Sequence, residues 1–330
     1  MAAFLLLLPF VAANYPAPVF NISLDDPPTT RWNSVHKAYA SSIHEFAKSY
    51  ASIVSPDELR AISVFLNETF VDAELRKEVQ SMADVCDISY AEAIFLNFMY
   101  EYNQHCTSIV VRNASGYILH GRNLDYDYGD SLRKTVIELH WYKDNKILFK
   151  TAQFVWYLGV GTGVKPGVFS ISQNQRNDGH NEYNYVALSL GYKGVLLEIR
   201  KALETAHSYK DALELLSTDH IAAASYDTMA GPHSGSVVTR DRLNSADIWH
   251  LNESQWWLVQ TNFDHWLSPP ATDNNRAQTA ISYIEAQTPA GMNFTTLYEA
   301  LSTYPVLNPT TVFTSLLDPV TGDFSVRIRA

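Results

Sequence analysis

Cys106-Thr107-Ser108-Ile109-Val110-Val111 is the stretch on which the reading of this 330-residue chain turns. After the cysteine it is short, apolar and β-branched, the pattern of a buried strand. Just before it, Tyr90 to Tyr102 reads as a helix, opened by a capping box at Ser89-Tyr90-Ala91-Glu92. The chain holds two cysteines, and one of them stands at this step from helix to strand. A cysteine there has two readings. The plain one is a small buried hydrophobe. The sharper one is a nucleophile that becomes a new N-terminus when the chain is cut before it. Two cysteines cannot build a disulfide framework, so Cys86 reads as a buried free thiol.

Upstream of this step the first hundred residues look helical. Trp32, Val35, Tyr39, Ile43, Phe46, Tyr50 and Ile53 recur at three- and four-residue steps. Ser55-Pro56-Asp57-Glu58 has the form of a helix start, and Asp72 is placed to cap a third helix. Downstream the pattern turns to strands. Asn113-Ala114-Ser115-Gly116 is a turn between Cys106–Val111 and Tyr117–Arg122. Lys143-Asp144-Asn145-Lys146 turns between Thr135–Trp141 and Ile147–Lys150, and Val168–Ser172 follows. Helices are expected at Gly194–Ala206 and Ser208–Ser217, then strands near Ser236–Thr239, Ala246–Leu251 and Trp256–Thr261. Two further helices, Arg276–Gln287 and Thr295–Ser302, precede a hairpin of Thr311–Leu316 with Asp323–Ile328. No repeat, low-complexity tract or linker interrupts the chain, so a single layered α+β domain is expected.

The totals narrow the function. A formal charge of −11 and a pI near 5.4 argue against nucleic acid, which needs a basic face. An acidic surface suits an acidic compartment. Met1 to Ala13 has the apolar run and small residues of a secretory signal peptide, leaving residues 14–330 as the mature chain. No later stretch reaches eighteen apolar residues, so a soluble mature protein of the secretory route is expected. Five sequons fit that route, at Asn21, Asn67, Asn113, Asn252 and Asn293; proline spoils the one at Asn308.

Three features join Cys106 as chemistry. His120-Gly121-Arg122-Asn123-Leu124-Asp125-Tyr126 follows the strand that should pair with the cysteine's strand, so Arg122 and Asp125 are expected beside the thiol. The plainer reading is a surface ion pair. Asn262, ending a strand in Gln260-Thr261-Asn262-Phe263, is a donor for a developing oxyanion, or else a turn residue. The polar cluster Asn174-Gln175-Arg176 closes the strand after Lys165-Pro166-Gly167 and is otherwise an ordinary strand end. His105 neighbours Cys106, but adjacent strand residues point to opposite faces, so it reads as a cleavage-site flank rather than a base. The eleven histidines show no metal spacing, and Gly159-Val160-Gly161-Thr162-Gly163 lacks the Lys-Ser/Thr of a phosphate loop, so no metal or cofactor is expected.

Four of these motifs together carry a resemblance: Cys106-Thr107-Ser108-Ile109-Val110, His120-Gly121-Arg122-Asn123-Leu124-Asp125, Val237-Val238-Thr239-Arg240-Asp241-Arg242 and Gln260-Thr261-Asn262-Phe263-Asp264-His265-Trp266. They resemble the acid ceramidase and N-acylethanolamine acid amidase family of lysosomal N-terminal-nucleophile hydrolases, which implies a lysosomal, or else secreted, protein. The likeness runs from Phe20-Asn21-Ile22-Ser23 to Val326-Arg327-Ile328-Arg329. A direct passage from Asp125 through Tyr126-Asp127-Tyr128 to Lys134, without a longer insertion, and the lack of C-terminal cysteines place it nearer the amidases.

The resemblance implies a four-layer αββα fold. It implies self-cleavage at His105–Cys106 into a helical α chain, residues 14–105, and a β chain, residues 106–330, held as a heterodimer. It makes Cys106 the nucleophile with its own α-amine as base, brackets it with Arg122 and Asp125, and gives Asn262 the oxyanion. Gln175 and Tyr126 are auxiliary. The implied substrate is a fatty-acid amide such as an N-acylethanolamine; the alternatives are an N-acylsphingosine, or an impaired relative that only binds acylated lipids. Gln175 stands where the family usually carries Glu, and Asn275 where it carries an arginine thought to contact the site. Acyl substrates live in bilayers, so Phe65, Leu66, Phe70, Ile94, Phe95, Phe98 and Met99 are expected either to lean on a membrane after cutting or, more plainly, to pack in the core.

Overall fold

The computed structural model describes residues 14–329 apart from 53–54, 56, 58, 61–63, 65–71, 98–103, 128 and 178–181. The predicted signal peptide, the Asn67 sequon, Pro56 and Glu58 of the predicted helix start, and Phe65, Leu66, Phe70, Phe98 and Met99 lie outside the described residues.

The hairpin predicted around Asn113–Gly116 is the centre of the molecule. Strand β3 (Gln104–Arg112) pairs antiparallel with β4 (Ile118–Tyr126), Cys106 standing opposite Leu124. Gly116 takes φ +83° in the turn, a conformation that a side chain would strain. β4 runs four residues further than the sequence pattern suggested, because β13 (Thr311–Leu317) pairs along its other edge from Leu317–His120 to Thr311–Asp125. Arg122 and Asp125 are therefore inside a central strand, not just past its end.

Two sheets stack face to face. The first adds β12 (Trp257–Gln260) beside β3, and β14 (Phe324–Ile328) and β1 (Tyr15–Pro16) beyond β13. The second has eight strands among the described residues. In spatial order these are β11 (Ser245–His250), β10 (Gly235–Arg240), β9 (Ser225–Ala230), β8 (Phe169–Gln175), β7 (Thr162–Lys165), β6 (Lys146–Phe154), β5 (Val136–Lys143) and β2 (Val19–Ser23). Val110, Ile118, Tyr226, Ala230, Val237 and Leu258 fill the space between the sheets.

Helices cover both outer faces. α8 (Arg276–Gly291) and α9 (Phe294–Ser302) lay Ala280, Ile284, Leu297 and Leu301 on Ile109, Val111 and Leu119 of the first sheet. α6 (Val195–Thr205) and α7 (Tyr209–Thr218) cover the second sheet together with α1 (Asn33–Ala51), α2 (Ala73–Cys86) and α3 (Tyr90–Asn97). Two short helices are α4 (Gly129–Arg133) and α5 (Glu182–Ser189), and a 3-10 turn at Ala271–Asp273 precedes α8. Helices over two packed sheets are the expected αββα layering. The caps read from sequence form as expected: Asp72 accepts from Leu75 N–H at 2.7 Å, and Ser89 and Glu92 bond each other's N–H groups at 2.7 and 3.2 Å.

The first hundred residues are not all helical. They open with β1, opposite Ile328 in the first sheet, and β2, parallel to β5 in the second. Ile94 and Phe95 of α3 are buried, the plainer of their two readings.

Candidate active site

The two-residue period of a strand sorts the site into two faces. Cys106, Ser108, His120 and Arg122 face the second sheet; Thr107, Asn123 and Asp125 face the helices α8 and α9. Cys106 is fully buried, and its Sγ lies 3.1 Å from Arg122 Nη2. The Arg122 guanidinium is held across the sheets, donating to the Gln173 carbonyl at 2.6 Å, the Gly161 carbonyl at 3.3 Å and the Thr162 hydroxyl. Burial pushes the Cys106 thiol up, Arg122 opposes that, and Asp125 adds to it.

The Cys106 backbone is gripped as firmly as its side chain. Its N–H donates to Asn262 Oδ1 at 2.8 Å, and its carbonyl accepts from Arg276 Nη1 at 2.7 Å. Arg276 Nη2 also reaches Asn262 Oδ1, at 3.1 Å. Asn262 Nδ2 donates to the Gln175 carbonyl at 2.9 Å. Asn262 thus offers its oxygen to the nucleophile's nitrogen, while one N–H of its NH2 group is directed at the Gln175 carbonyl. An oxyanion-donor role falls to the second N–H of that group.

Asp125 sits opposite His105 in the hairpin and is fully buried. It accepts from Thr311 Oγ1 at 2.7 Å and Asn308 Nδ2 at 3.2 Å, and Arg276 Nη1 lies 3.6 Å away. Burial raises its pKa against the lowering pull of Arg276. The expectation that both charges flank the thiol needs correcting. Arg122 and Asp125 are three positions apart on one strand, so they point to opposite faces. Only Arg122 touches the sulfur; Asp125 stands by the backbone of the His105–Cys106 step.

Arg276 is the site residue that sequence reading missed. The family arginine was assigned to Asn275, but Asn275 is a left-handed residue with φ 61° at the start of α8. Arg276, the next residue, carries its guanidinium to the Cys106 carbonyl and Asn262 Oδ1. The sequence signal was there: Asp273 three residues before Arg276 lies 3.6 Å from its Nη2. Gln175, at the end of β8, enters the arrangement through its carbonyl. Tyr126 is buried with its ring edge-on to Phe154, centroids 6.3 Å apart.

Two cavities flank the nucleophile. One, on the His105 side, is polar, with Gln175, Asn177, Asn262 and Arg276 on its wall. The other is small and largely apolar, with Leu124, Phe154, Tyr157, Leu196 and Phe313 around Arg122. Cys86 and Cys106 are both free and buried, and burial pushes the Cys86 thiol up to about 12. Among the described residues, no three His, Cys, Asp or Glu side chains gather as metal ligands. No helix of the described residues is long and apolar enough to cross a membrane.

This geometry can be set beside known proteins. Residues 106–304 match the profile of the linear amide C–N hydrolases, choloylglycine hydrolase family, which begins at Cys106. Residues 15–68 match the profile described as the beta subunit of N-acylethanolamine-hydrolyzing acid amidase, so that description gives the name β to the segment called α above. The N-acylethanolamine-hydrolyzing acid amidase of Mus musculus is 35% identical over 97% of this chain and 92% of its own. The acid ceramidase of Balaenoptera acutorostrata scammoni is 32% identical over 95% and 86%. The solved Caenorhabditis elegans ortholog of the amidase superposes with a TM-score of 0.60 at 34% identity, covering 65% of this chain and 93% of that one. The chain therefore belongs to the N-acylethanolamine acid amidase and acid ceramidase family, and is a cysteine hydrolase of linear amides built on the N-terminal-nucleophile fold.

Proposed function

We propose that this protein is a lysosomal amidase that cuts itself at His105–Cys106 and then hydrolyses fatty-acid amides, N-acylethanolamines foremost, to fatty acid and amine. The observation that carries the reading is Cys106 itself. Its Sγ is 3.1 Å from a buried guanidinium, and its N–H and C=O are held by Asn262 and Arg276. A thiol so placed near the start of β3 is suited to attack the peptide bond before it. The Sγ attacks the His105 carbonyl carbon, the C–N bond breaks, and the Cys106 nitrogen leaves as an amine, taking the thiol's proton. Water then opens the thioester, giving a His105 carboxylate and a free thiol.

In the cut enzyme the Cys106 α-amine takes the thiol's proton. Arg122 beside the sulfur works against the burial that raises the thiol pKa, which favours handing the thiol's proton to the amine. The thiolate attacks the amide carbonyl, the amine delivers the proton to the leaving nitrogen, and water hydrolyses the acyl thioester. Leu124, Phe154, Leu196 and Phe313 beside Arg122 offer apolar walls for an acyl chain. Arg276 holds the carbonyl of the nucleophile, and Asp125 lies 3.6 Å from Arg276. The sequons at Asn21 and Asn252 and the Asn293 helix cap are exposed, and Asn113 is half-buried, which supports glycosylation on the secretory route.

The test is direct. Purified precursor held at mildly acidic pH should yield a fragment whose N-terminal residue is Cys106, and then release labelled fatty acid from an N-acylethanolamine. Cys106→Ala should do neither. Cutting of that variant at the same bond without added protease would end the self-cleavage reading. A head-group panel that favoured N-acylsphingosine would move the assignment to a ceramidase.

A further inference from the structure

Between the sheets, beside the Arg122 guanidinium and its partners, runs a line of buried polar side chains. His120 of β4 lies between Ser170 and Ser172 of β8, with Nδ1 2.8 Å from Ser170 Oγ and Nε2 2.8 Å from Ser172 Oγ. Ser172 Oγ is 2.8 Å from Ser108 Oγ, and Ser108 Oγ is 2.8 Å from Asn174 Oδ1. Asn174 Nδ2 donates to the Gln260 carbonyl at 2.8 Å and the Thr261 carbonyl at 3.1 Å. His120, Ser108, Ser170, Ser172 and Asn174 are all fully buried. The next residue along from those two carbonyls is Asn262, which holds the Cys106 nitrogen.

We propose that this line is a one-way chain of hydrogen bonds that positions Asn262 on the nucleophile. The donor order follows from what each atom can do. Asn174 Nδ2 faces two carbonyls, so Oδ1 is the end facing Ser108, and an amide oxygen only accepts. Ser108 must therefore give its one proton to Asn174 and accept from Ser172. Ser172 then gives its one proton to Ser108 and must accept from His120. The imidazole is thus protonated at Nε2, and Nδ1 accepts from Ser170. Burial and the nearby Arg122 cation hold the His120 pKa down to about 3, so the ring is neutral, as this order requires.

Apolar residues would fill the same layer without a buried polar chain, so its cost asks for a use. Asn174 supplies one from two sides. Its side chain anchors the Gln260 and Thr261 carbonyls, and the next residue, Gln175, offers its carbonyl to Asn262 Nδ2. Asn262 is thereby fixed at backbone and side chain before it meets Cys106. His120, Ser172, Ser108 and Asn174 are positioning residues, acting through Asn262. The inference rests on the proposed role of Cys106 as nucleophile.

Ser108→Ala cuts the chain, His120→Leu removes its origin, and His120→Gln keeps a donor near the Nε2 position. In mature enzyme, Ser108→Ala and His120→Leu should lower kcat at least about 10-fold with KM within about 2-fold, the signature of lost transition-state positioning. His120→Gln should recover most of that loss. Histidine-selective 15N NMR of Cys106→Ala precursor should show His120 as the Nε2–H tautomer, unchanged between pH 4 and 7. The Asn262 side-chain amide signals should shift when Ser108→Ala is added. Undiminished kcat in Ser108→Ala, a protonated Nδ1, or unmoved Asn262 signals would each overturn the proposal. If wild-type enzyme releases no fatty acid, the proposed function fails, and the NMR measurements still decide this one. If a variant does not fold, the His120 tautomer of the Cys106→Ala precursor still decides the donor order.

Discussion

At the scale of single residues, the site divides labour between two arginines on opposite faces of one strand pair. Arg122 touches the sulfur, and its charge works against the burial that raises the thiol pKa. Arg122→Met removes a pKa-lowering cation, so the thiol should need a higher pH to ionise. Self-cleavage at acidic pH should slow at least about 10-fold and its rate profile should move to higher pH, because thiolate is the attacking species. A time course of the Cys106 N-terminus from pH 4 to 8 reads both. Arg276 instead holds the Cys106 carbonyl. Arg276→Ala should cost roughly 10²-fold in kcat, the scale of a lost positioning contact. Asn275→Arg, which restores the family residue at an exposed helix start, should change it less than about 2-fold. Steady-state assays of the two variants side by side decide whether the guanidinium belongs to position 276.

At the scale of elements, one buried ionic cluster ties the N-terminal segment to the rest. Glu78 of α2 is fully buried. It accepts from Arg31 Nη1 at 3.0 Å and from Arg200 of α6 at 2.6 and 2.9 Å. Arg31 also pairs with Glu74 at 2.6 Å, and Arg200 stacks over Trp141, 4.8 Å from the ring centroid. Arg31 and Glu78 precede the predicted cut and Arg200 follows it, so the cluster bridges the two pieces. Glu78→Gln leaves two guanidinium groups without their shared carboxylate. Breaking one partner of a buried pair typically costs about 3–5 kcal/mol. Urea unfolding of Cys106→Ala with and without Glu78→Gln should show a loss of that order; a loss under about 1 kcal/mol would mean that Glu74, and Glu204 at 2.8 Å from Arg200 Nε, compensate.

At the scale of the whole molecule, both sheets depend on the first ten described residues. β1 is the edge of the first sheet and β2 the edge of the second, so cutting at residue 105 should leave the pieces associated through backbone pairing as well as core packing. Acidic conditions also favour this fold at one buried group. Asp227 of β9 is raised to about 7, chiefly by burial, with Arg240 and the Ser225 hydroxyl pulling the other way. Arg240 is meanwhile bonded to the carbonyls of Leu216 and Asp219. A carboxyl that titrates near about 3.9 unfolded and higher when folded contributes stability below about pH 4, and loses it as pH rises to about 7. Asp227→Asn should therefore leave Tm nearly unchanged at pH 4 and raise it by a few degrees, about 2–4 °C, at pH 7. Equal effects at the two pH values would show that Asp227 does not ionise in the folded protein.

The sequence by itself determined the hairpin that carries the nucleophile, most of the helices and their caps, and the identity of Cys106, Arg122, Asp125 and Asn262 as candidates. These rest on local periods and local hydrogen bonds: β-branched runs, an Asn-Ala-Ser-Gly turn, and Ser and Asp side chains meeting N–H groups three residues on. Even the opposite facing of Arg122 and Asp125 was legible in their spacing, once the strand was known to continue through both. That continuation was not legible, since it is imposed by β13, nearly two hundred residues later in the chain. β2 was hidden for the same reason, because its partner β5 lies beyond every helix of the N-terminal segment. Arg276, Asn174 and the two sides of Asn262 belong to the same class. Their roles are set by which carbonyls and amides the two stacked sheets bring within about 3 Å, and such non-local contacts leave no period in the sequence.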